Sequence, residues 1–115
     1  MSISCYQLNI FAMQSRINKY NKQLMDISDR RALIANSQNQ IIKKYQGDYE
    51  KDTTGTANSA TWDQDPQVIL LANQDNCLDM ESKSIETQLN ALKNNLEQME
   101  KSQQDDIKNG VAKLA

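Results

Sequence analysis

An apolar seam with a seven-residue repeat runs from Ile3 to Tyr45 and constrains the fold more than any other feature of the chain. Its members are Ile3, Tyr6, Ile10, Met13, Ile17, Tyr20, Leu24, Ile27, Ile34, Ile41 and Tyr45. The steps alternate three and four residues, which places them on one stripe of an α-helix that packs lengthwise against another helix. Two polar residues, Arg31 and Gln38, interrupt the stripe. At the helical rise the stretch makes a rod of roughly 65 Å, longer than a compact domain of this size is wide.

A second seam follows as Leu71, Leu78, Ser82, Ile85, Leu89, Leu92, Leu96, Met99 and Gln103, densest from Ile85 to Met99. Between the seams, residues 48–65 (DYEKDTTGTANSATWDQD) lose the period and are rich in Thr, Ser, Asn, Gly and Asp, the composition of a solvated connection. Tyr49 and Trp62 are its large apolar groups, and a short β-hairpin turning at Thr54-Gly55 is one way to fold it. Gly47, after Lys43 and Lys44, reads as the residue just past a helix C-terminus ending near Tyr45–Gln46. Asp65-Pro66 reads as an N-cap followed by proline at the first helical position. Beyond Met99 the apolar positions shift to Ile107, Val111 and Leu114, a local slip in the heptad, and Asn109-Gly110 is a place for the second helix to end or fray.

The expected fold is therefore all-α: an elongated, coiled-coil-like, antiparallel two-helix hairpin. Its parts are an N-terminal heptad helix over 1–47, an acidic loop over 48–65 and a C-terminal heptad helix over 66–115. Aromatics at 5% and only three Gly and one Pro argue against a deep globular core, which long paired helices do not need. Charge divides along the same boundaries. Residues 1–47 carry seven Lys/Arg against two Asp, and residues 66–115 carry eight acids against five Lys. One flank of the first seam reads Asn9, Arg16, Gln23, Arg30, Ser37 and Lys44, and beside the second seam stand Asp79, Glu81, Glu86 and Glu100. Basic edge against acidic edge favours pairing, although each exposed pair contributes only a few tenths of a kcal/mol. Several registers keep seam against seam; those that place Arg31 near Glu81 or Ile85 predict an Arg31–Glu81 pair.

More apolar side chains are present than one hairpin uses. Leu8, Phe11, Met25, Leu33 and Ile42 fall outside the first seam, and Val68, Ile69 and Leu70 outside the second. Folding back brings the N-terminal cluster and the Val111/Leu114 tail to one tip. Surplus apolar surface on a rod predicts neighbours, so Leu8, Phe11, Met25, Leu33, Val68, Ile69, Val111 and Leu114 are the expected assembly interface. The plainer alternative, in which they wrap the hairpin's own shoulder, leaves a stable monomer with little buried area. The expected partners are further copies of the chain or a partner helix.

Candidate chemistry is sparse, and the chain reads as no enzyme. Without histidine the usual neutral-pH base and the commonest metal ligand are missing. Cys77 stands between Asp75 and Asp79, which disfavour a thiolate, and Cys5 lies near the terminus, where it is placed to oxidise between chains. In an antiparallel hairpin Cys77 faces the middle thirties, roughly 45 Å along the rod from Cys5, so no intrachain disulfide is expected. The loop acids Asp48, Glu50, Asp52, Asp63 and Asp65 lack the spacing and glycine of a calcium loop. Arg16, Lys19, Lys22, Arg30, Arg31, Lys43 and Lys44 spread around the helix without aromatic platforms, which argues against nucleic acid. No cofactor and no small-molecule substrate are expected. The N-terminus lacks the pattern of a cleavable signal peptide, and the longest apolar run, Val68 to Ala72, is too short to enter a membrane as a span.

Helix, variable polar middle, helix and apolar ends together resemble the axial subunits of bacterial type III export systems: needle subunits and the paired terminal helices of flagellar rod, hook and filament proteins. The stretch from Asp65-Pro66 onward looks like a needle subunit's turn and C-terminal helix, and LNIFAM (8–13) like an axial protein's leading helix. The chain departs from the needle pattern in lacking a second turn proline, in its length and in a tail poorer in aromatics. The resemblance implies a structural subunit stacked helically around a lumen with residues 48–65 outward, found at the cell surface or secreted by a signal-independent route. The alternative is a non-exported cytoplasmic coiled-coil adaptor or chaperone that offers one helical face to a partner.

Overall fold

The structure, a computed structural model, describes residues 3–51 and 62–114, with side chains described over 5–47 and 62–110. It contains two 49-residue helices, α1 (Ile3–Lys51) and α2 (Pro66–Leu114), with a 3₁₀ turn at Trp62–Gln64 before α2. The lone proline sits at the first position of α2, so neither helix interior loses a backbone hydrogen bond or meets a ring clash. Such helices draw most of their stability from packing one stripe rather than from intrinsic propensity.

The chain divides into two compact units. Unit 1 is Met1–Leu24 with Lys83–Ala115, and unit 2 is Met25–Ser82. In unit 1, Tyr20 donates its hydroxyl to Gln88 Oε1 at 3.0 Å and Tyr6 donates to the Asp106 carboxylate. In unit 2, Arg31 meets Asp75 and Asp79, while Tyr45 meets Asp65. In each unit, rising numbers on α1 meet falling numbers on α2, so the packing is antiparallel. The all-α helical hairpin expected from the seams is the observed fold.

The seam of α1 is where the heptads place it. Tyr6, Ile10, Met13, Ile17, Tyr20, Leu24, Ile27, Arg31, Ile34, Gln38, Ile41 and Tyr45 are all buried or half-buried, and among the other described side chains of α1 only Ile42 and Gly47 join them. On α2 the buried stripe starts earlier than the seam read from the sequence. Val68 is buried and Asp75 half-buried, which continues the three-and-four spacing back from Leu78. The core consists of Ile27 and Val68 in unit 2 and of Ile85, Leu89 and Leu92 in unit 1, each less than a tenth exposed. A side chain of this size contributes about 1.5–3 kcal/mol on burial.

Two expectations about the helix ends are corrected. α1 does not stop at Tyr45–Gln46 but passes through Gly47 to Lys51, and α2 runs through Asn109-Gly110 to Leu114. Neither glycine adopts the left-handed backbone of a C-cap, so the backbone continues its helical hydrogen bonding past both. The connection read over 48–65 closes on the Trp62–Gln64 turn, whose Trp62 carbonyl accepts from the Asp65 N–H at 3.2 Å. The Asp65 cap stands as read: its Oδ1 accepts from the Gln67 N–H at 2.8 Å, and its carbonyl accepts the first helical bond from Ile69 at 3.0 Å. The hairpin turn at Thr54-Gly55 lies outside the described residues.

Helical glycines with open space at the Cβ position invite a direct test. Gly47→Ala and Gly110→Ala each meet nothing within 4 Å and remove backbone freedom from the unfolded chain. Each should stabilise by about 0.5–1 kcal/mol, measured by urea denaturation. Destabilisation by either change would mean that the helix ends there. In the core, Leu89→Ala should cost about 2–5 kcal/mol.

Candidate functional site

Two features offer chemistry or contact: a polar inset in the seam of unit 2 and the exposed apolar faces outside the seam. The inset is built from residues that occupy seam positions on both helices. Arg31 donates from Nε to Asp75 Oδ1 at 2.9 Å and from Nη2 to Asp75 Oδ2 at 3.2 Å, a two-pronged pairing, and from Nη1 to Asp79 Oδ1 at 3.2 Å. The planar guanidinium fits a carboxylate in this way because its donors lie in a fixed fork. All three side chains are about a third exposed, so the cluster sits at the lip of the seam. The pairing corrects the expected one with Glu81, which is exposed on α2. That expectation left Asp75 out of the seam, so the register that sets one polar seam residue against another went unseen. Arg30, on the expected basic edge, pairs within its own helix with Asp26 at 3.4 Å.

A second polar contact joins the helix start to the opposite seam. Asp65 uses Oδ2 to accept from the Tyr45 hydroxyl at 2.5 Å while Oδ1 caps α2. Its carboxyl is held below the ordinary aspartate value, first by the Tyr45 hydrogen bond and then by the backbone N–H of Gln67. Asp75 is lowered as well, chiefly by its hydrogen bond to Arg31, and Arg31 is raised, chiefly by the same bond. In unit 1, the Asp106 carboxylate accepts from the Tyr6 phenol and thereby raises its pKa. These groups satisfy one another; their geometry is that of register-setting contacts.

The residues expected to form an assembly interface divide clearly. Leu8 and Phe11, one turn apart on α1 in unit 1, are 70% and 73% exposed. Met25, Leu33 and Ile69 in unit 2 are exposed too. Val68 is not surface at all: at 7% exposure it packs in the core of unit 2, and its place in the expected interface is withdrawn. The side chains of Val111 and Leu114 lie outside the described residues. Met80, 70% exposed, was missed. It stands eleven residues after Ile69, three helical turns, and so shares its face; following that stripe along α2 would have found it. Ile107 stays exposed, so the seam does not slip toward it.

Unit 2 also carries a groove along one side of the helix pair. One part, about 550 Å³, is lined by Leu33, Ile34, Cys77 and Leu78, with Arg30 and Gln74 at its edge. The next, about 530 Å³, has the half-buried Ile41 and Leu71 at its base, the exposed Leu70 on its wall and Lys44 at its edge, and Gln74 belongs to both. Cys5 and Cys77 are exposed thiols, neither in a disulfide. Among the described residues there is no group of three or more His, Cys, Asp or Glu able to hold a metal ion, and no helix long and apolar enough to cross a membrane. No protein family, curated protein or solved structure matches the chain.

Acid should loosen the inset and the cap. Lowered carboxyl pKa values mean that the stabilisation from Asp65 and Asp75 is complete above the ordinary aspartate value of about 3.9 and is lost as the pH falls through the lowered values. The raised Arg31 pKa keeps its contribution intact throughout that range. The melting temperature followed by circular dichroism should be level between pH 5 and 8 (about one unit or more above that aspartate value) and fall below about pH 4. Asp75→Asn should shrink the acid-dependent part of the fall. An equal fall in the variant would remove Asp75 from the account.

Proposed function

We propose that the chain is a structural, self-assembling subunit whose exposed apolar faces become contacts between copies. The observation that carries this reading is the exposure of Leu8 and Phe11, paired on one face of α1 while the Ile10 and Met13 seam beside them is half-buried.

The specific form we favour is a helical filament or needle-like assembly of the bacterial type III axial kind. Two long antiparallel helices, a polar connection between them and an apolar start to α1 support that form. In such an assembly copies stack through the Leu8/Phe11 face, residues 48–65 face outward, and the subunit reaches the cell surface or the medium by a signal-independent route. It carries no reaction, cofactor or small-molecule substrate. The second reading, a cytoplasmic adaptor or chaperone that binds one partner helix, draws on the groove of unit 2, whose lining includes Ile34, Ile41, Leu71 and Leu78.

Negative-stain microscopy of concentrated protein separates the two: fibres for the first, discrete small particles for the second. Phe11→Asp should abolish higher assembly and leave helicity largely intact. Ile27→Asp, which puts a charge into the core of unit 2, should reduce helicity itself. Sedimentation and circular dichroism on both variants read the difference. An oligomer unchanged by Phe11→Asp would hand the question to the adaptor reading.

A further inference from the structure

We propose that the Leu8/Phe11 face of each copy is covered by the outer face of α2 in unit 2 of the next copy, where Ile69 and Met80 stand exposed, so that unlike faces join copy to copy. This rests on the self-assembly reading and names the surface that its contact uses.

A filament needs two different faces on every copy. A face that meets its own twin is used up in a dimer, whereas a contact between unlike faces leaves one of each free for the next copy. Leu8 and Phe11 supply one face, and its charge selects the other. Residues 5–24, which carry it, hold Arg16, Lys19 and Lys22 and no acid. All three cations are exposed, and among the described residues none of them is held in an ion pair. Two such faces set against each other would leave every cation without a counter-charge.

Three other helical segments expose large apolar side chains. Residues 25–47 of α1 expose Met25 and Leu33 but carry four Lys/Arg against two Asp, the same sign as the first face. Residues 83–110 of α2 expose Ile107 and are close to balance, with five acids and four Lys. Residues 66–82 of α2 carry three acids and no Lys or Arg, and they expose Ile69, Leu70 and Met80. Arg31 takes up Asp75 and Asp79 there, while Glu81, next to Met80, is exposed and outside the ion pairs of the described residues. Ile69 and Met80 share one side of the helix, so this segment offers an apolar stripe with a free acid at its border. Of the three it alone has the opposite sign, and that makes it the complement of the Leu8/Phe11 face.

Mixing two blocked variants of the full chain tests the proposal, followed by sedimentation and circular dichroism. Phe11→Asp alone, and Ile69→Asp with Met80→Asp, should each stop growth, because each removes one of the two faces. All three positions are exposed, so both variants should stay helical. Mixed in equal amounts they should form a one-to-one pair and nothing longer, since one variant still offers Ile69 and Met80 and the other Leu8 and Phe11. The dissociation constant of that pair should rise as salt is added, because opposite charges draw the faces together. Lys19→Glu with Lys22→Glu in the otherwise unchanged chain should weaken assembly about tenfold at low salt. That variant decides the matter if the double aspartate variant unfolds. A mixture that stays monomeric, or a Lys19 and Lys22 reversal without effect, overturns the contact. Fibres from the Ile69 and Met80 variant, with none from Phe11→Asp, also overturn it and leave the self-assembly reading standing. A wild type that stays monomeric at every concentration overturns both.

Discussion

Two helices in lengthwise contact share one stripe each, about two residues in seven, and the rest of this molecule depends on how little that stripe can hold. Among the described residues five side chains are buried and none is completely removed from solvent. A chain of this length folded as a globule would surround its core on all sides, whereas each seam residue here has protein on one side and water nearby. The consequence is a surface that keeps Leu8, Phe11, Met25, Leu33 and Met80 largely exposed even though the seam itself is well satisfied. Charged side chains alone would keep such a surface in water; large apolar ones at these positions gain only if something covers them.

Within that narrow seam, Arg31 and Asp75 act as a pair rather than as two defects. Each taken alone is a polar residue in an apolar stripe and costs desolvation. Set opposite each other, with Asp79 accepting the remaining arm, they satisfy their hydrogen bonds and make other registers expensive, because any shift leaves a guanidinium or a carboxylate against Ile, Leu or Val. Polar insets in coiled coils are best attested in this register-setting role. Tyr45 with Asp65 does similar work at the start of α2, where one carboxylate both caps the helix and fixes the opposite seam.

The seam of α1 was legible in the sequence because its period is unbroken in position even where it breaks in chemistry: Arg31 and Gln38 are half-buried as the spacing requires. The seam of α2 was read less well for the same reason turned round. That reading ran from Leu71 to Leu78 without Asp75 between them, and it stopped one step short of Val68, which was placed outside the stripe. Position in the repeat decided burial in both cases, and side-chain polarity misled. The helix ends were misread because glycine was taken as a stop signal. A glycine ends a helix when the chain needs a left-handed residue there; in a long packed helix it is only a weak position. The exposure of Leu8, Phe11, Met25, Leu33 and Ile69 was legible as apolar surplus outside the seams, but the groove was not, since it arises from which stripes of α1 and α2 the register brings side by side.

Register also explains why the two units differ in what they can do alone. Unit 1 holds Ile85, Leu89 and Leu92, three consecutive seam steps buried in a row. Unit 2 holds Ile27 and Val68, and part of the seam between them on each helix is given to Arg31 and Asp75. The inset secures alignment in unit 2 but supplies less apolar burial per turn, and the groove lies in the same unit, with Leu33 and Leu70 standing out from its walls. A segment that spends seam positions on alignment has the most to gain from apolar contacts made outside the seam. The exposed apolar surface of unit 2 thus lies where the chain's own core is thinnest, and the polar inset has a further consequence: by fixing which residues of α1 and α2 stand level, it also fixes the shape of that surface.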